Sequence, residues 1–166
     1  MRLRVLWTSL LLTAVIASPI SPASATTWTL PIHSATPGAI DPIVTQENIG
    51  STICVVGYTK TVRPPVSYTN ALKSQQLRTT YVRYGTTDRT LFEEDHLIPL
   101  AVGGAPRDAR NLWPEPWSGS LGARKKDVLE LKMHLMVCAQ QITLKAAQAV
   151  FATNWYQGYL KYVVGK

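Results

Sequence analysis

Residues 93 to 117 read EEDHLIPLAVGGAPRDARNLWPEPW: three acids directly before His96, a Gly-Gly pair, Asn111, and tryptophans at 113 and 117. An imidazole titrates near neutral pH, so beside carboxylates it suits a general base. Glu93, Glu94 and Asp95 are hard oxygen donors of the kind Mg²⁺ or Mn²⁺ prefers. The chain's other histidines are weaker candidates. His33 lies in an irregular Thr/Pro segment and is expected to be a solvent-exposed bystander. His134 is expected in mid-helix, structural or exposed, because a lone helical histidine needs converging partners to make a site. One geometric constraint applies to the Asp95-His96 pair. Neighbours in a regular strand point to opposite faces, so the two are parted unless the strand twists or ends there.

The run Asp95-His96-Leu97-Ile98-Pro99-Leu100, then Gly103-Gly104, then Asn111-Leu112 followed by a helix resembles the HNH endonucleases of the ββα-metal (His-Me finger) group. With TICVVGYTKTVRPPVSYTNALK and the later KKD, VLE and VC elements, the likeness extends over about residues 50 to 160 and points to small secreted bacterial HNH-like proteins. The resemblance implies an α+β fold with a hairpin-plus-helix core and hydrolysis of phosphodiester bonds. It casts His96 as the base on the attacking water, Asp95 as a metal ligand and Asn111 as the residue that orients the histidine. The implied cofactor is a divalent ion, Mg²⁺ or Mn²⁺ first, with Zn²⁺ or Ni²⁺ as alternatives. A further ligand, usually histidine or asparagine, comes in that family from the start of the following helix, and here the sequence departs from the pattern. Asp127 is the first suitable donor, with Glu130 and His134 further along the helix and Glu115 between two prolines. Asp127 is favoured because only the first turn should reach back over the hairpin, although an acid there is also stabilised by the helix dipole alone.

Arg107, Arg110, Arg124, Lys125 and Lys126 flank the hairpin and the helix start. Together they fit contacts to a nucleic-acid backbone, DNA or RNA, without sequence reading. Among the tryptophans, Trp113 and Trp155 are expected in the core and Trp117 is the least constrained. A different class of function uses the same scaffold without catalysis: an extracellular module that binds anionic polymer through its basic surface.

The elements that must hold these residues can be read from pattern. A β-rich run is expected through Cys54 to Tyr58, a break at Pro64-Pro65, and a short helix from about Tyr68 to Leu77 capped by Thr69 or Asn70. Strand character follows from 91 up to Pro99, a tight turn at Gly103-Gly104, and a second strand from Arg110 to Trp113 that Pro114 ends. In the helix expected over 123–139, Val128, Leu131, Leu135 and Cys138 recur at helical spacing as the core face, with Leu129, Met133 and Met136 beside them. Thr143 caps a last helix with Leu144, Ala147, Phe151 and Trp155 on one face.

The whole chain has 166 residues, enough for one domain with a real core. Its first residues, MRLR then VLWTSLLLTAVIA then SPISPASA, have the order of a secretory leader, with cleavage expected after Ala25. The apolar run is shorter than the ~20 residues of a spanning helix, so stable membrane insertion after cleavage is not expected. Residues 26–49 are expected to form a linker or loosely packed arm, and 50–166 the domain. The formal charge is +7, and the leader carries Arg2, Arg4 and no acid. The rest therefore remains basic, which suits anionic partners. Cys54 and Cys138 are the only cysteines, and in an oxidising compartment one disulfide joining them is the simplest expectation. The protein is expected to be an extracytoplasmic monomer.

Overall fold

The computed structural model describes residues 30–166. The expected leader and the first residues of the arm lie outside the described residues. The fold is α+β: helices α1 (Tyr58–Val62) and α2 (Val66–Arg78), a hairpin of β1 (Phe92–His96) and β2 (Leu112–Pro116), then α3 (Ala123–Cys138) and α4 (Leu144–Tyr159), with α4 running into a π-helical turn over Leu160–Val164. Among the described residues no helix is long and apolar enough to cross a membrane.

The hairpin is the only sheet among them, antiparallel, with Phe92 opposite Pro116, Glu93 opposite Glu115, Asp95 opposite Trp113 and His96 opposite Leu112. Pro114 does not end β2, contrary to the sequence expectation. Leu97 N donates to Asn111 O at 2.7 Å and Trp117 N to Leu91 O at 3.1 Å, so odd-numbered residues of both strands face the ladder and Pro114 and Pro116 turn their missing N–H groups outward. The outward carbonyls are covered by α2: Lys73 Nζ donates to Phe92 O and Gln76 Nε2 to Leu112 O, both at 2.8 Å. A ring cluster then fills the space beneath, with Tyr84 stacked on Phe92 at 5.0 Å between centroids and Tyr81 6.3 Å from Trp113.

The two strands are not joined by a tight turn at the glycines. Short 3-10 turns at Leu100–Val102 and Ala109–Asn111 shape a long connection instead. Gly104 lies at its narrowest point, where an added Cβ would stand 1.7 Å from Ile98 O. Gly103, at φ +75°, takes the left-handed conformation that closes the first turn. The expected loose arm is packed here. Ala105 N donates to Ala39 O, Asp41 N to Gly103 O and Gly38 N to Arg110 O, at 2.8–3.0 Å, while Val44 and Ile49 are buried. Residues 30–49 therefore belong to the domain; they are held by backbone pairing, which leaves no side-chain period to read.

The expected strand at Cys54–Tyr58 is absent. Its backbone bonds locally in turns, Cys54 N to Ile49 O and Val55 N to Thr52 O, and Gly57 at φ +87° starts α1. β-Branched residues favour a strand only when a partner is present, and none lies alongside. Helix α2 begins two residues before the expected start, directly after Pro65. In α4, Thr143 Oγ1 accepts from Ala146 N, and Leu144, Ala147, Phe151 and Trp155 are all buried, as the pattern implied.

The face of α3 is the largest correction. Val128, Leu131 and Leu135 are 50%, 60% and 56% exposed, while Ala123, Lys126, Leu129, Met133 and Val137 form the buried face. Both stripes have helical spacing, so periodicity cannot choose between them. Cys54 and Cys138 form a disulfide across 84 residues of sequence. Closing a loop that long stabilises a fold by about 4–5 kcal/mol in the chain-entropy model. Cys54→Ser with Cys138→Ser is expected to cost about 2–5 kcal/mol in urea denaturation; an unchanged midpoint would show that the bridge contributes no net stability.

Candidate functional site

β1 brings its acids to two faces. Glu93 and Asp95 share one with Glu115 of β2, and one carboxylate oxygen of each lies within 4.8 Å of the others. These three residues can hold a metal ion. β1 ends at His96; Asp95 and His96 lie near enough for each charge to bear on the other, although His96 stands outside the close group of three.

His96 is 3% exposed, and its Nε2 meets Pro106 O at 2.9 Å. A carbonyl only accepts, so Nε2 carries the hydrogen and Nδ1, which has no hydrogen-bond partner among the described residues, keeps its lone pair. Burial pushes the imidazole below its ordinary value, against the pull of Asp95 and the Pro106 bond, so the ring is neutral at pH 7. Asn111 is fully buried and acts as a strap. Its Oδ1 accepts from Ile98 N at 2.9 Å and Ala39 N at 3.4 Å, while Nδ2 donates to Ile98 O at 3.0 Å and Ala105 O at 3.1 Å. It orders the chain on both sides of the loop that presents Pro106 to His96.

Lys126, expected to meet phosphate, is fully buried and cannot do so. Its ammonium donates to Asp95 Oδ2 at 2.5 Å, Glu130 Oε1 at 2.6 Å and His96 O at 2.8 Å, and lies 5.6 Å from the centre of the Phe151 ring. The cause is its place on the inner face of α3 beside Leu129 and Met133. Burial opposes its charge, but Asp95, Glu130 and Glu115 together raise its pKa. Burial likewise opposes ionisation of Asp95, yet the Lys126 ammonium beside it holds that carboxyl below its usual range.

The other acids are driven the opposite way. Burial pushes Glu115 well above the carboxylate range, and Glu93 to about 8 with help from Asp95 and Asp127. Glu130 is pushed up to about 7 by burial against the pull of Lys126. Asp127, the expected helix ligand, is exposed and stands outside the close group of three; burial and the charge of Asp95 raise its pKa. His134 Nδ1 bonds Ala101 O at 3.0 Å, a tie between α3 and the loop, and His33 is exposed.

Glu94 occupies the opposite face of β1. Among the described residues neither of its oxygens has a hydrogen-bond partner, and burial pushes it up to about 9, against Lys73 and reinforced by Asp95. Between its ordinary 4.5 and about 9 the folded chain binds a proton that the unfolded chain has released, so stability falls as pH rises through that window. Glu94→Gln is therefore expected to stabilise the chelator-treated protein by about 1–3 kcal/mol at pH 8 and to change little at pH 4. Thermal unfolding at the two pH values checks this, and an equal shift at both would refute it.

Of the basic residues, Arg107, Arg110 and Arg124 are exposed and Lys125 is half-buried. Arg110 is already paired with Asp108 at 2.6 Å, Lys125 donates to Ser120 O at 3.1 Å, and Arg107 lies over the Tyr68 ring at 5.9 Å. Arg63, at the end of α1, is exposed and lies close enough for its charge to bear on both His96 and Asp127. Nothing in the sequence marked it, since it sits in the Val-Arg-Pro-Pro break. Glu93 had a legible signal: the Pro-Glu-Pro alternation sets the face of Glu115 and, through the register, that of Glu93. Trp113 and Trp155 are in the core, and Trp117 is exposed. Compared with protein-family models, with curated proteins and with solved structures, the chain matches none.

Proposed function

We propose that this chain is a secreted, metal-dependent phosphodiester hydrolase acting on nucleic acid, built on an HNH-like core in which β1, β2 and α3 are the ββα unit. The observation that carries this reading is the placement of His96: anchored through Nε2 to Pro106 O, with Nδ1 unbonded among the described residues, at the end of a strand of acids. His96 Nδ1 takes a proton from water as the water oxygen bonds to phosphorus and the bond from phosphorus to the 3′ oxygen breaks. The leaving oxygen takes its proton from solvent. A divalent cation, when bound, supplies stabilisation of the charge that develops on the phosphate oxygens. The hairpin acids are its holders, and the buried, unpartnered oxygens of Glu115 are the observation that fits such an ion. Arg63, Arg107 and Arg124 supply exposed positive charge for the phosphate backbone, so binding weakens as salt rises. The leader-like N-terminus and the disulfide support export.

The test is cleavage of plasmid and of RNA by the chelator-treated mature protein, with and without restored Mg²⁺ or Mn²⁺. Metal-restored cleavage is the expected result. One observation favours the non-catalytic binding module instead: Lys126 already neutralises Asp95 from the helix that supplies a metal ligand in HNH enzymes. Salt-sensitive binding without cleavage under any metal would establish that module and end the hydrolase reading.

A further inference from the structure

The three acids on the inner face of the hairpin are joined by too little positive charge. Glu93 and Glu115 face each other across the ladder, and Asp95 follows on the same face of β1. Among the described residues Lys126 is the cation bonded to the group, and its three N–H donors are spent on Asp95, Glu130 and His96 O, which leaves none for Glu93 or Glu115. Glu115 is 0% exposed, and among the described residues both of its oxygens lack a hydrogen-bond donor. A buried carboxylate in that state calls for a cation or a proton. Glu93 and Asp95 are only partly covered, so the group opens toward solvent on their side and an ion has a way in.

We propose that Glu93, Asp95 and Glu115 bind one hard divalent cation, Mg²⁺ or Mn²⁺, entirely on the hairpin, with no ligand from Asp127. The donor set is oxygen alone, which suits these ions and disfavours zinc or nickel. Lys126 engages Asp95 through Oδ2, so Oδ1 is the oxygen that turns to the ion. Water fills the remaining positions, as Mg²⁺ ordinarily requires. This assignment rests on the reading of a metal-dependent hydrolase and replaces its expected helix ligand with two glutamates. The competing chemistry is a proton shared between Glu115 and Asp95, which would leave the group indifferent to metal.

Titration of the full mature chain with Mn²⁺, following the loss of the free-ion electron paramagnetic resonance signal, decides between them. Wild type takes up one equivalent. Glu115→Gln and the more exposed Glu93→Gln each weaken uptake by at least about 10-fold, the loss that even an outer-shell partner's removal brings. Asp127→Asn stays within about 5-fold, the size of a surface charge's contribution. Uptake lost in Asp127→Asn but kept in both glutamate variants would overturn the assignment, as would no uptake by wild type. If Glu115→Gln fails to fold, Glu93→Gln decides. Cleavage measured in parallel separates this assignment from the hydrolase reading. Metal-dependent cleavage with unchanged affinity in both glutamate variants sinks the ligand set alone, and uptake through the glutamates without cleavage sinks the hydrolase alone.

Discussion

His96→Ala is expected to lower metal-restored cleavage by about 10²–10⁴-fold, the usual loss when a general base is removed. The ring is 3% exposed, so the substitution also opens a small cavity and leaves Pro106 O without its donor. His96→Gln controls for this, because an amide can still donate to that carbonyl but cannot accept a proton from water near neutral pH. Both variants should lose activity, and the glutamine variant should lose less stability. The pH profile is a second check on the same residue. Only the neutral imidazole accepts the proton, and burial holds its pKa below the ordinary 6.5, so with metal saturating, which keeps Glu93 and Glu115 deprotonated, the acid limb of kcat/KM lies below pH 6.5. A limb centred above pH 7.5, or undiminished cleavage by His96→Ala, would exclude His96 as the base.

Lys126→Met should be the most destabilising single change at the site, by about 3–5 kcal/mol. Methionine matches the length of the stem but removes a buried ammonium on which two carboxylates and a carbonyl depend. Desolvation makes the intact ion cluster no bargain against an apolar core, whereas its broken form leaves charges buried without a partner. Adding Asp95→Asn and Glu130→Gln to Lys126→Met is therefore expected to recover most of the loss. Urea denaturation of the single and triple variants in chelator measures both effects. A single variant within about 0.5 kcal/mol of wild type, the range of ordinary surface substitutions, would mean that Lys126 is not buried as described.

These two residues stood very differently in the sequence. His96 stood out because of its neighbours in the chain: acids before it, a glycine pair and Asn111 after it. Lys126 was read as one of three basic residues at a helix start, and nothing in Arg-Lys-Lys distinguishes the buried one. Its role follows from which face of α3 turns inward.

The sequence by itself determined the features that depend on contacts close along the chain or on residue chemistry alone. The cap at Thr143, the inward face of α4, the presence of one strand before and one after Gly103-Gly104, and the pairing of the two cysteines are of this kind. The tertiary structure alone decided what depends on partners far along the chain. Two apolar stripes on α3 were equally periodic, and packing against α4 and the loop chose the one that carries Lys126. Residues 30–49 showed no period because backbone bonds to Gly103, Ala105 and Arg110 hold them. The group of Glu93, Asp95 and Glu115 exists only through the register, since an antiparallel ladder brings side chains together across the strands and parts neighbours within one.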